Sequence, residues 1–326
     1  MTQILTRVTG VGSYLPDRIV TNDELAKTVD TNDAWIRERT GIKRRHIAAE
    51  GETTVDMGEA AARRALDHAG MDASDIDLII VATTTPDLVF PSSAAMIQGR
   101  LGIRIGAAFD VQAVCSGFIY GMSIADGLIQ LGQHRNALVI GSETMSRIID
   151  WTDRSTCVLF GDGAGAFVLE GRAIVPDETD PRRLIGSYLR ADGSFLELLR
   201  TTGGISSTQS SGLLTMQGNS VYRHAVTKIS EAMSTLMQKH GVTSEDIDWF
   251  VPHQANQRIL EGVSKRMGID AAKVISTVAE QGNTSAASVP LAFDQGVRDG
   301  RIKRGELCLL EALGAGFTWG SALIRF

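Results

Sequence analysis

Two stretches of this 326-residue sequence, lying about 170 residues apart, repeat one pattern of side chains. Residues 72–81 (DASDIDLIIV) resemble residues 243–251 (TSEDIDWFV), and a predicted helix that ends in glycine precedes each stretch. Further pairs recur at the same offset: 100–103 with 266–269, and 136–141 with 306–311. Self-similarity of this kind predicts two copies of one structural unit, which we place at residues 1–174 and 175–326.

Patterns typical of strands and of helices alternate along the chain. Residues 53–69 form an amphipathic pattern followed by Gly70, which predicts a helix with a glycine C-cap. Apolar runs at 77–84 and 107–111 predict buried strands of a sheet, and the stretch 12–16 predicts a turn after the first strand. Such alternation predicts an α/β fold built in layers.

The composition excludes several classes of protein. A formal net charge of −6 gives no overall attraction to nucleic acid or to an anionic membrane. Three cysteines without CxxC spacing argue against a disulfide framework or a metal site, and they favour a reducing compartment. No stretch approaches the roughly 18 apolar residues of a membrane span, and no signal peptide opens the sequence. We therefore expect a cytoplasmic protein without a metal or other cofactor.

Cys115 lies where the predicted strand at 107–111 turns into an apolar helical segment. At a helix N-terminus, free backbone N–H groups and the helix dipole favour the thiolate form of a cysteine. The offset between the two copies places Asn283 close to the same point of the second copy. If the copies pack about a pseudo-twofold axis, the starts of the two helices meet there. A Gly-Asn pair by itself is more often a turn and a helix cap.

His253 follows the apolar run 249–251 in the segment VPHQAN. Open α/β sheets place ligands at the C-terminal ends of their strands. A cysteine thiolate accepts acyl groups from thioesters, and N–H donors on His253 and Asn283 suit the stabilisation of charge on a second carbonyl oxygen. Cysteine hydrolases also use Cys, His and Asn, so the residue types alone leave acyl transfer and hydrolysis open.

Two basic groups of residues stand out in an otherwise acidic chain. The segment 30–45 surrounds Trp35 with arginine and lysine, which indicates either a solvated helix or the mouth of a site for a phosphorylated, ring-containing ligand. A second group lies on the helix after VPHQAN and is either a solvated face or a docking site for an acidic protein. Its members are Arg258, Lys265 and Arg266, joined by Arg223 of the preceding helix.

Several segments together resemble the β-ketoacyl-acyl-carrier-protein synthase III family of the thiolase-like superfamily. In chain order they are GVGSYLPDRIVTNDEL, DTNDAWIRERTGIKRRHIA, AVCSGF, FGDGAGA, VPHQAN, GNTSAAS and GAGFTWGSALIRF. The resemblance implies a five-layered αβαβα fold of two duplicated halves and a homodimer. It also implies that a short acyl group, typically acetyl, passes from acyl-CoA to the enzyme. Condensation with malonyl-acyl-carrier protein then releases CoA and carbon dioxide and starts fatty acid synthesis.

The same resemblance assigns roles to individual residues. It implies that Cys115 is the acylated nucleophile, that His253 and Asn283 promote decarboxylation, and that backbone N–H groups of Cys115 and Ala315 form an oxyanion hole. The residues implied to bind CoA and its pantetheine arm are Trp35, Arg39, Arg154 and Asn256. The residues implied to shape the acyl pocket are Leu313 and, from across the dimer interface, Phe90. The residues implied to bind the carrier protein are Arg223, Gln254, Arg258, Lys265 and Arg266.

One position departs from the family pattern. Leu313 stands where the family commonly has phenylalanine, which leaves the shape of the acyl pocket and the preferred acyl chain open. A related type III condensing enzyme that uses a longer or unusual acyl-CoA is the alternative within this fold. A thiolase that does not decarboxylate fits less well, because Cys157 and Cys308 lie in apolar runs typical of core residues. Outside the fold, the alternatives are a cysteine hydrolase and a non-catalytic scaffold.

Overall fold

The computed structural model of the chain describes residues 3–174 and 180–326. The predicted boundary after residue 174 falls at the edge of the segment outside the described residues and stays a prediction. The strands are β1 (Ile4–Tyr14), β2 (Ile19–Thr21), β3 (Arg44–His46), β4 (Leu78–Ala82), β5 (Ala107–Val111), β6 (Asn136–Thr144), β7 (Asp162–Ala173), β8 (Arg183–Ala191), β9 (Leu199–Thr201), β10 (Leu214–Met216), β11 (Trp249–Pro252), β12 (Leu307–Gly314) and β13 (Thr318–Arg325).

The helices pack around these strands. They are α1 (Asn22–Leu25), α2 (Asp33–Thr40), α3 (Thr54–Ala69), α4 (Ser93–Arg100), α5 (Gly117–Gln130), α6 (Ile205–Thr208), α7 (Gly218–Lys239), α8 (Gln257–Met267), α9 (Val278–Gln281) and α10 (Ser288–Arg298). The predicted helix over 53–69 forms as α3, with Thr53 and Asp56 in a capping box and Gly70 as a left-handed C-cap. Within the described ranges, no helix is both long and apolar enough to cross a membrane.

The longer strands form two sheets. Among the described residues, one sheet has five strands in the order β1-β7-β6-β4-β5, and the other has four in the order β11-β12-β13-β8. In the first sheet β4 pairs in parallel with both β5 and β6. In the second sheet β11 pairs in parallel with β12. The remaining strand pairs among the described residues, β2–β3 and β9–β10, are short antiparallel ladders.

The register of the sheets confirms the duplication. Leu78 of β4 pairs with Ala137 of β6, and Trp249 of β11 pairs with Cys308 of β12. Adding 171 to each number of the first pair gives the second pair. The two halves are therefore copies of one unit, with equivalent strands in equivalent register.

Helices α5 and α10 lie between the two sheets. α5 contacts β4 and β6 of one sheet and β12 and β13 of the other, while α10 contacts β1, β7 and β11. α3 and α4 cover the outer face of the first sheet, and α7, with α8 packed on it, covers the outer face of the second. Val114 and Ser285 precede α5 and α10 with φ of 48° and 52°, so the two central helices begin with equivalent turns. These layers confirm the predicted αβαβα fold.

Aromatic packing holds the central layer in place. Phe118 of α5 packs edge-to-face on Phe167 of β7, with ring centroids 4.9 Å apart. Phe293 of α10 packs on the same Phe167 ring at 4.9 Å and on Phe326 at 5.1 Å. Edge-to-face pairs of this kind add about 0.5–1.5 kcal/mol each beyond their burial. The packing fixes the position of both central helices, and with them the turns at which they begin.

Two expectations about single elements are wrong. The turn predicted at 12–16 begins later, because β1 continues to Tyr14. Gly10 and Gly12 let β1 lie directly against α3, where a Cβ on either glycine would overlap the backbone of Ala65. The strand predicted as buried at 107–111 forms as β5, but it is the edge of its sheet, and its residues are only half-buried in the single chain.

Candidate active site

One cavity of about 1200 Å³ brings together residues from both halves of the chain. Cys115, His253 and Asn283 all line this cavity, and their exposed fractions are 5%, 4% and 6%. Cys115 lies in the turn before α5, His253 follows the end of β11, and Asn283 lies in the turn before α10. The pseudo-symmetric packing of α5 and α10 thus places a thiol and an amide from equivalent turns in one enclosed space.

Cys115 is a protonated thiol in this environment. Burial, reinforced by the negative charge of Glu143, raises the pKa of the thiol to about 12 against the opposing effect of a hydrogen bond from Ser285. The backbone N–H group at Cys115 lowers the pKa of the thiol, as the helix start predicts, but this effect is smaller than that of burial. Cys115 lies in a 3-10 turn that precedes α5, and desolvation outweighs the backbone N–H groups there.

His253 is a neutral hydrogen-bond donor. Its Nδ1 lies 2.6 Å from the Ser288 hydroxyl, which itself accepts a hydrogen bond from the backbone N–H of Gln254 at 3.4 Å. The Ser288 hydroxyl has no other acceptor among the described residues, so we assign its proton to the bond with Nδ1 and the imidazole proton to Nε2. Burial lowers the pKa of His253 to about 3, so the ring stays uncharged at physiological pH.

Asn283 is held so that its amide nitrogen is free to donate. Its Oδ1 accepts the backbone N–H of Ser285 at 2.9 Å. Its backbone is fixed by hydrogen bonds from its own N–H to Leu159 O at 2.9 Å and from Gly161 N–H to its carbonyl at 3.0 Å. With the carbonyl end of the side chain occupied, the Nδ2 group faces the cavity. His253 and Asn283 therefore both offer N–H donors.

The turn after β12 lies directly against the nucleophile. A Cβ on Gly314 would lie 2.7 Å from the backbone nitrogen of Cys115, so only glycine permits this approach. The Thr318 hydroxyl donates to Ala113 O at 2.9 Å and Ala315 O at 3.2 Å, which ties the two turns together. Ala315 lines the cavity, as does Leu313, which is 6% exposed.

Two buried carboxyl groups near the cavity were not singled out from the sequence. Glu143 ends the apolar run of β6, and its carboxylate accepts a hydrogen bond from the Ser285 hydroxyl at 3.0 Å. Glu311 lies in the apolar run of β12 and lines the cavity. Burial raises the pKa of both groups, that of Glu311 to about 8. An acidic residue inside an otherwise apolar strand was the available signal.

The residues predicted to hold the CoA end come together outside the cavity lining. Trp35 is half-buried on α2, and the guanidinium carbons of Arg39 and Arg154 lie 5.7 and 5.2 Å from its ring centroid. Arg154 also donates to Asp30 O at 2.8 Å. An indole ring beside two guanidinium groups suits a ligand that has both an aromatic ring and phosphates.

The rest of the basic segment does not join this cluster. Arg45 is fully buried, where it donates to the carbonyls of Val20 at 3.2 Å and Val158 at 2.7 Å. Lys43 and Arg44 both pair with Glu280. Arg45 is therefore a structural residue. The segment 30–45 fits neither of its two interpretations, a solvated helix or the mouth of a ligand site, over its whole length.

Of the residues predicted to bind the carrier protein, some are exposed and one is buried. Arg223 on α7 is exposed, as are Arg258, Lys265 and Arg266 on α8. Gln254 is only 1% exposed, and the prediction that it binds the carrier protein is wrong. Its Oε1 accepts the backbone N–H groups of Thr277 and Val278 at 2.8 and 3.0 Å, and its Nε2 donates to two carbonyls. Gln254 braces the loop before α9.

Asn256 and Phe90 lie at the cavity, at different places. Asn256 lines it while capping α8, since its Oδ1 accepts the backbone N–H of Ile259 at 3.0 Å. Phe90 also lines the cavity but is 82% exposed, beside Val89, which is 72% exposed.

Within residues 3–174 and 180–326, no group of three or more His, Cys, Asp or Glu is arranged to hold a metal ion.

Comparison with known proteins gives consistent matches. Residues 109–193 match the family model of 3-oxoacyl-[acyl-carrier-protein] synthase III, and residues 237–326 match the model of its C-terminal part. The β-ketoacyl-[acyl-carrier-protein] synthase III of Caulobacter vibrioides is 58% identical over 98% of this chain and 98% of its own length.

Solved structures agree over the whole chain. The 3-oxoacyl-[acyl-carrier-protein] synthase III of Aquifex aeolicus has a TM-score of 0.92 at 42% identity, covering 98% of this chain and 100% of its own. A priming β-ketosynthase of a polyketide biosynthetic pathway also has a TM-score of 0.92, at 38% identity, covering 99% of this chain and 97% of its own. The chain belongs to the β-ketoacyl-[acyl-carrier-protein] synthase III family.

Proposed function

We propose that this chain starts fatty acid synthesis by joining a short acyl group, such as acetyl, to malonyl-acyl-carrier protein. Cys115 takes the acyl group from acyl-CoA, and decarboxylative condensation then yields β-ketoacyl-acyl-carrier protein, CoA and carbon dioxide. The observation that supports this proposal most strongly is the meeting of one buried thiol with two neutral N–H donors in a single cavity.

The two donors match the chemistry of decarboxylation. Loss of carbon dioxide from a malonyl thioester leaves an enolate whose oxygen bears negative charge. His253, with its proton on Nε2, and Asn283, with its Oδ1 occupied by Ser285, present N–H donors to such an oxygen. Preorganised donors in a buried site are worth about 2.7–4 kcal/mol each in comparable oxyanion holes. The enolate carbon then attacks the carbonyl of the acyl-Cys115.

The acyl-transfer steps need a second set of donors at the thioester carbonyl. We assign these to the backbone N–H groups of Cys115 and Ala315, because the 314–316 turn lies directly against the Cys115 backbone. Leu313, beside this turn, bounds the cavity at the acyl group.

Two surface clusters fit the two substrates. The Trp35, Arg39 and Arg154 cluster suits the adenine and phosphates of CoA, and Asn256 at the cavity suits the pantetheine arm. The exposed cations of α7 and α8 suit an acidic carrier protein, with Arg223, Arg258, Lys265 and Arg266 as the docking residues.

A homodimer accounts for the open edge of the first sheet. β5 is the last strand of that sheet, and its outer edge has no partner strand among the described residues. Unpaired edges invite pairing with another chain. Ile105 comes just before β5, and Leu88, Val89 and Phe90 come just before α4, which packs on β5; all four have exposed fractions of 50–82%. We propose that β5 pairs with β5 of a second copy and that Phe90 then bounds the partner's acyl pocket.

The curated relatives favour fatty acid synthesis over a secondary pathway with an unusual acyl-CoA, since they carry the name of the fatty acid enzyme at 54–59% identity over 98% or more of this chain. All three cysteines are unpaired, which fits the reducing cytoplasm that we propose as its location.

The proposal is tested by incubating the protein with acetyl-CoA and malonyl-acyl-carrier protein and recording intact masses of protein and carrier. We expect an acetyl adduct on Cys115 and a carrier that bears an acetoacetyl group. Release of free acetate without a carbon–carbon bond would instead indicate a cysteine hydrolase and reject the proposal.

A further inference from the structure

A chain of polar groups runs from the Cys115 thiol to a buried carboxylate. The Ser285 hydroxyl donates to Glu143 Oε1 at 3.0 Å and lies within reach of the Cys115 thiol, whose ionisation it favours. Ser285 and Glu143 are both fully buried, and they come from opposite halves of the chain. Ser285 reaches both groups because its backbone adopts φ of 52° in the turn before α10. Non-glycine residues held in this conformation are concentrated at functional sites.

Neutral groups hold the Glu143 carboxylate in place. Among the described residues none of its hydrogen-bond donors carries a charge, and each hydroxyl can accept one hydrogen bond while it donates another. The donors are Thr83 Oγ1 at 3.2 Å, Thr84 N at 3.1 Å, Thr84 Oγ1 at 3.0 Å, Thr85 Oγ1 at 2.5 Å and Ser285 Oγ. Burial raises the pKa of this carboxyl group and these donors oppose the shift, so a carboxylate held here is a better proton acceptor than one in water.

Acylation requires that the Cys115 proton leave, and the cavity offers few acceptors. His253 is a poor one, because its Nε2 already holds a proton and its Nδ1 is occupied by Ser288. If the proton went to water, the thiolate and Glu143 would leave two negative charges buried close together. Transfer of the proton to Glu143 keeps the number of buried negative charges at one throughout the reaction, which avoids the cost of a second one.

We propose that Ser285 and Glu143 form a proton relay for Cys115, in which Glu143 stores the thiol proton for as long as the enzyme is acylated. This inference rests on the proposed function, since it concerns the proton that acyl transfer to Cys115 displaces. Ser285 touches the reacting sulfur and is a catalytic residue, whereas Glu143 acts through Ser285.

The relay balances in both half-reactions. As the Cys115 sulfur bonds to the acyl carbon, its proton passes to Ser285 Oγ while the Ser285 proton passes to Glu143. The acyl–sulfur bond of acyl-CoA breaks, and CoA leaves as a thiolate that takes its proton from water. In the second half-reaction, the enolate carbon bonds to the acyl group and the Cys115–acyl bond breaks. The Cys115 thiolate then recovers the stored proton from Glu143 through Ser285.

Proton uptake during the first half-reaction tests the relay. Stoichiometric enzyme is mixed with acetyl-CoA in weakly buffered solution at pH 7 with a pH indicator, and the adduct on Cys115 is quantified by intact mass. A free thiol has a pKa of about 8.5, so the released CoA thiolate takes up a proton at this pH. We expect about one proton taken up per adduct, because the Cys115 proton stays in the protein.

Three variants separate the relay from other roles of this network. In Glu143→Gln and Ser285→Ala the Cys115 proton cannot pass to a carboxylate in the protein. We therefore expect proton uptake per adduct to fall to about zero and the rate of acylation to fall roughly 100-fold, a typical general-base effect. Ser285→Ala keeps the backbone N–H that holds Asn283. Ser146→Ala is the matched control: it removes a buried serine–carboxylate hydrogen bond of the same kind, to Asp162 at 2.6 Å, outside the relay, and should retain uptake of about one proton.

The outcomes are distinguishable. If the unaltered protein forms no adduct on Cys115, the proposed function fails. If the adduct forms without proton uptake, or if Glu143→Gln and Ser285→Ala form the adduct with the same uptake and rate as the unaltered protein, the relay is rejected while acyl transfer stands.

Discussion

Glu311 is a carboxyl group buried inside the cavity, beside the residues proposed to perform the chemistry. Its side chain is 1% exposed, and its Oε2 has no hydrogen-bond partner among the described residues. Burial raises its pKa from 4.5 to about 8, although the N–H of His253 opposes the shift. Between these values the folded protein holds a proton that the unfolded chain has lost. Folding therefore takes up a proton, and this residue lowers stability as pH rises through that window.

Replacing Glu311 should remove this pH dependence. Glu311→Gln mimics the protonated side chain. Between pH 5 and 8 the free energy of unfolding of the unaltered protein should fall by up to about 1.4 kcal/mol per pH unit because of Glu311, and this contribution should be absent in the variant. Urea unfolding at several pH values and fixed protein concentration measures the slope. The two proteins should be closest in stability near pH 4.5; parallel slopes up to pH 8 would show that Glu311 is ionised in the fold.

The two N–H donors should matter for only one half-reaction. His253→Ala and Asn283→Ala each remove a donor to the enolate oxygen but leave Cys115 and the 314–316 turn in place. We expect acylation by acetyl-CoA to continue, while decarboxylation of malonyl-carrier protein falls by about 100-fold or more in each variant. Adduct mass and carbon dioxide release measure the two steps separately. Failure of either variant to be acylated would contradict this division of roles.

At the scale of elements, α8 connects the cavity to the surface. Asn256 caps its first turn and lines the cavity, while Arg258, Lys265 and Arg266 point to solvent from its exposed face. Ile259, Leu260 and Val263 pack its other face into the core. A helix anchored in this way can present cations near the cavity without changing the groups inside it.

Reversing a charge on α8 should therefore impair the reaction with one substrate only, the carrier protein. Arg258→Glu should lower kcat/KM for malonyl-carrier protein by about tenfold, as expected for loss of an ion pair of about 1.5 kcal/mol at an interface, with less effect at high salt. The rate of acylation by acetyl-CoA should not change. Lys239→Glu makes the same charge change on an exposed residue at the far end of α7, and equal losses in both variants would reject docking on α8.

The elements that the sequence predicted well were those set by local signals. The capping residue Thr53 and the C-cap Gly70 bound α3 as expected. Gly12 was misread because a glycine that lets a strand touch a helix looks, in sequence, like a glycine in a turn. The edge position of β5 depends on which strands pair, and an apolar run does not reveal that.

At the scale of the whole molecule, duplication explains both the symmetry of the layers and the asymmetry of the site. The two central turns are equivalent, yet one presents Cys115 and the other presents Asn283 and Ser285. The four-stranded sheet ends at β11, the equivalent of β4, so β5 has no counterpart strand there. The proposed dimer would join the five-stranded sheet to its copy in a second chain.

A single backbone change should test this dimer. The N–H of Ala107 donates to Asp77 O, so in a parallel ladder the N–H of Ala108 faces the open edge. Ala108→Pro removes an outward donor while sparing pairing with β4. We expect the variant to elute as a monomer in size-exclusion chromatography with light scattering. Ala107→Pro is the contrasting variant and should destabilise the sheet itself. A dimer that persists in a folded Ala108→Pro protein would contradict pairing through β5.

The site was predictable where a motif marks it and not where contacts between the halves create it. Cys115, His253 and Asn283 stand in distinctive segments that single them out as candidates, and all three line one cavity. The thiol's raised pKa and the Glu143–Ser285 contact arise only when the first and second halves pack together. Gln254 was assigned to carrier-protein binding by resemblance, and the sequence does not reveal that backbone groups around it occupy its whole side-chain amide.

The most direct test of the account follows one acyl group through both half-reactions. Protein acylated with isotopically labelled acetyl-CoA is freed of excess CoA and mixed with malonyl-carrier protein, and the label is located by intact mass. We predict that the label leaves Cys115 and appears in β-ketoacyl-carrier protein, with about one carbon dioxide released per adduct. Recovery of the label as free acetate, or its retention on Cys115, would contradict the account.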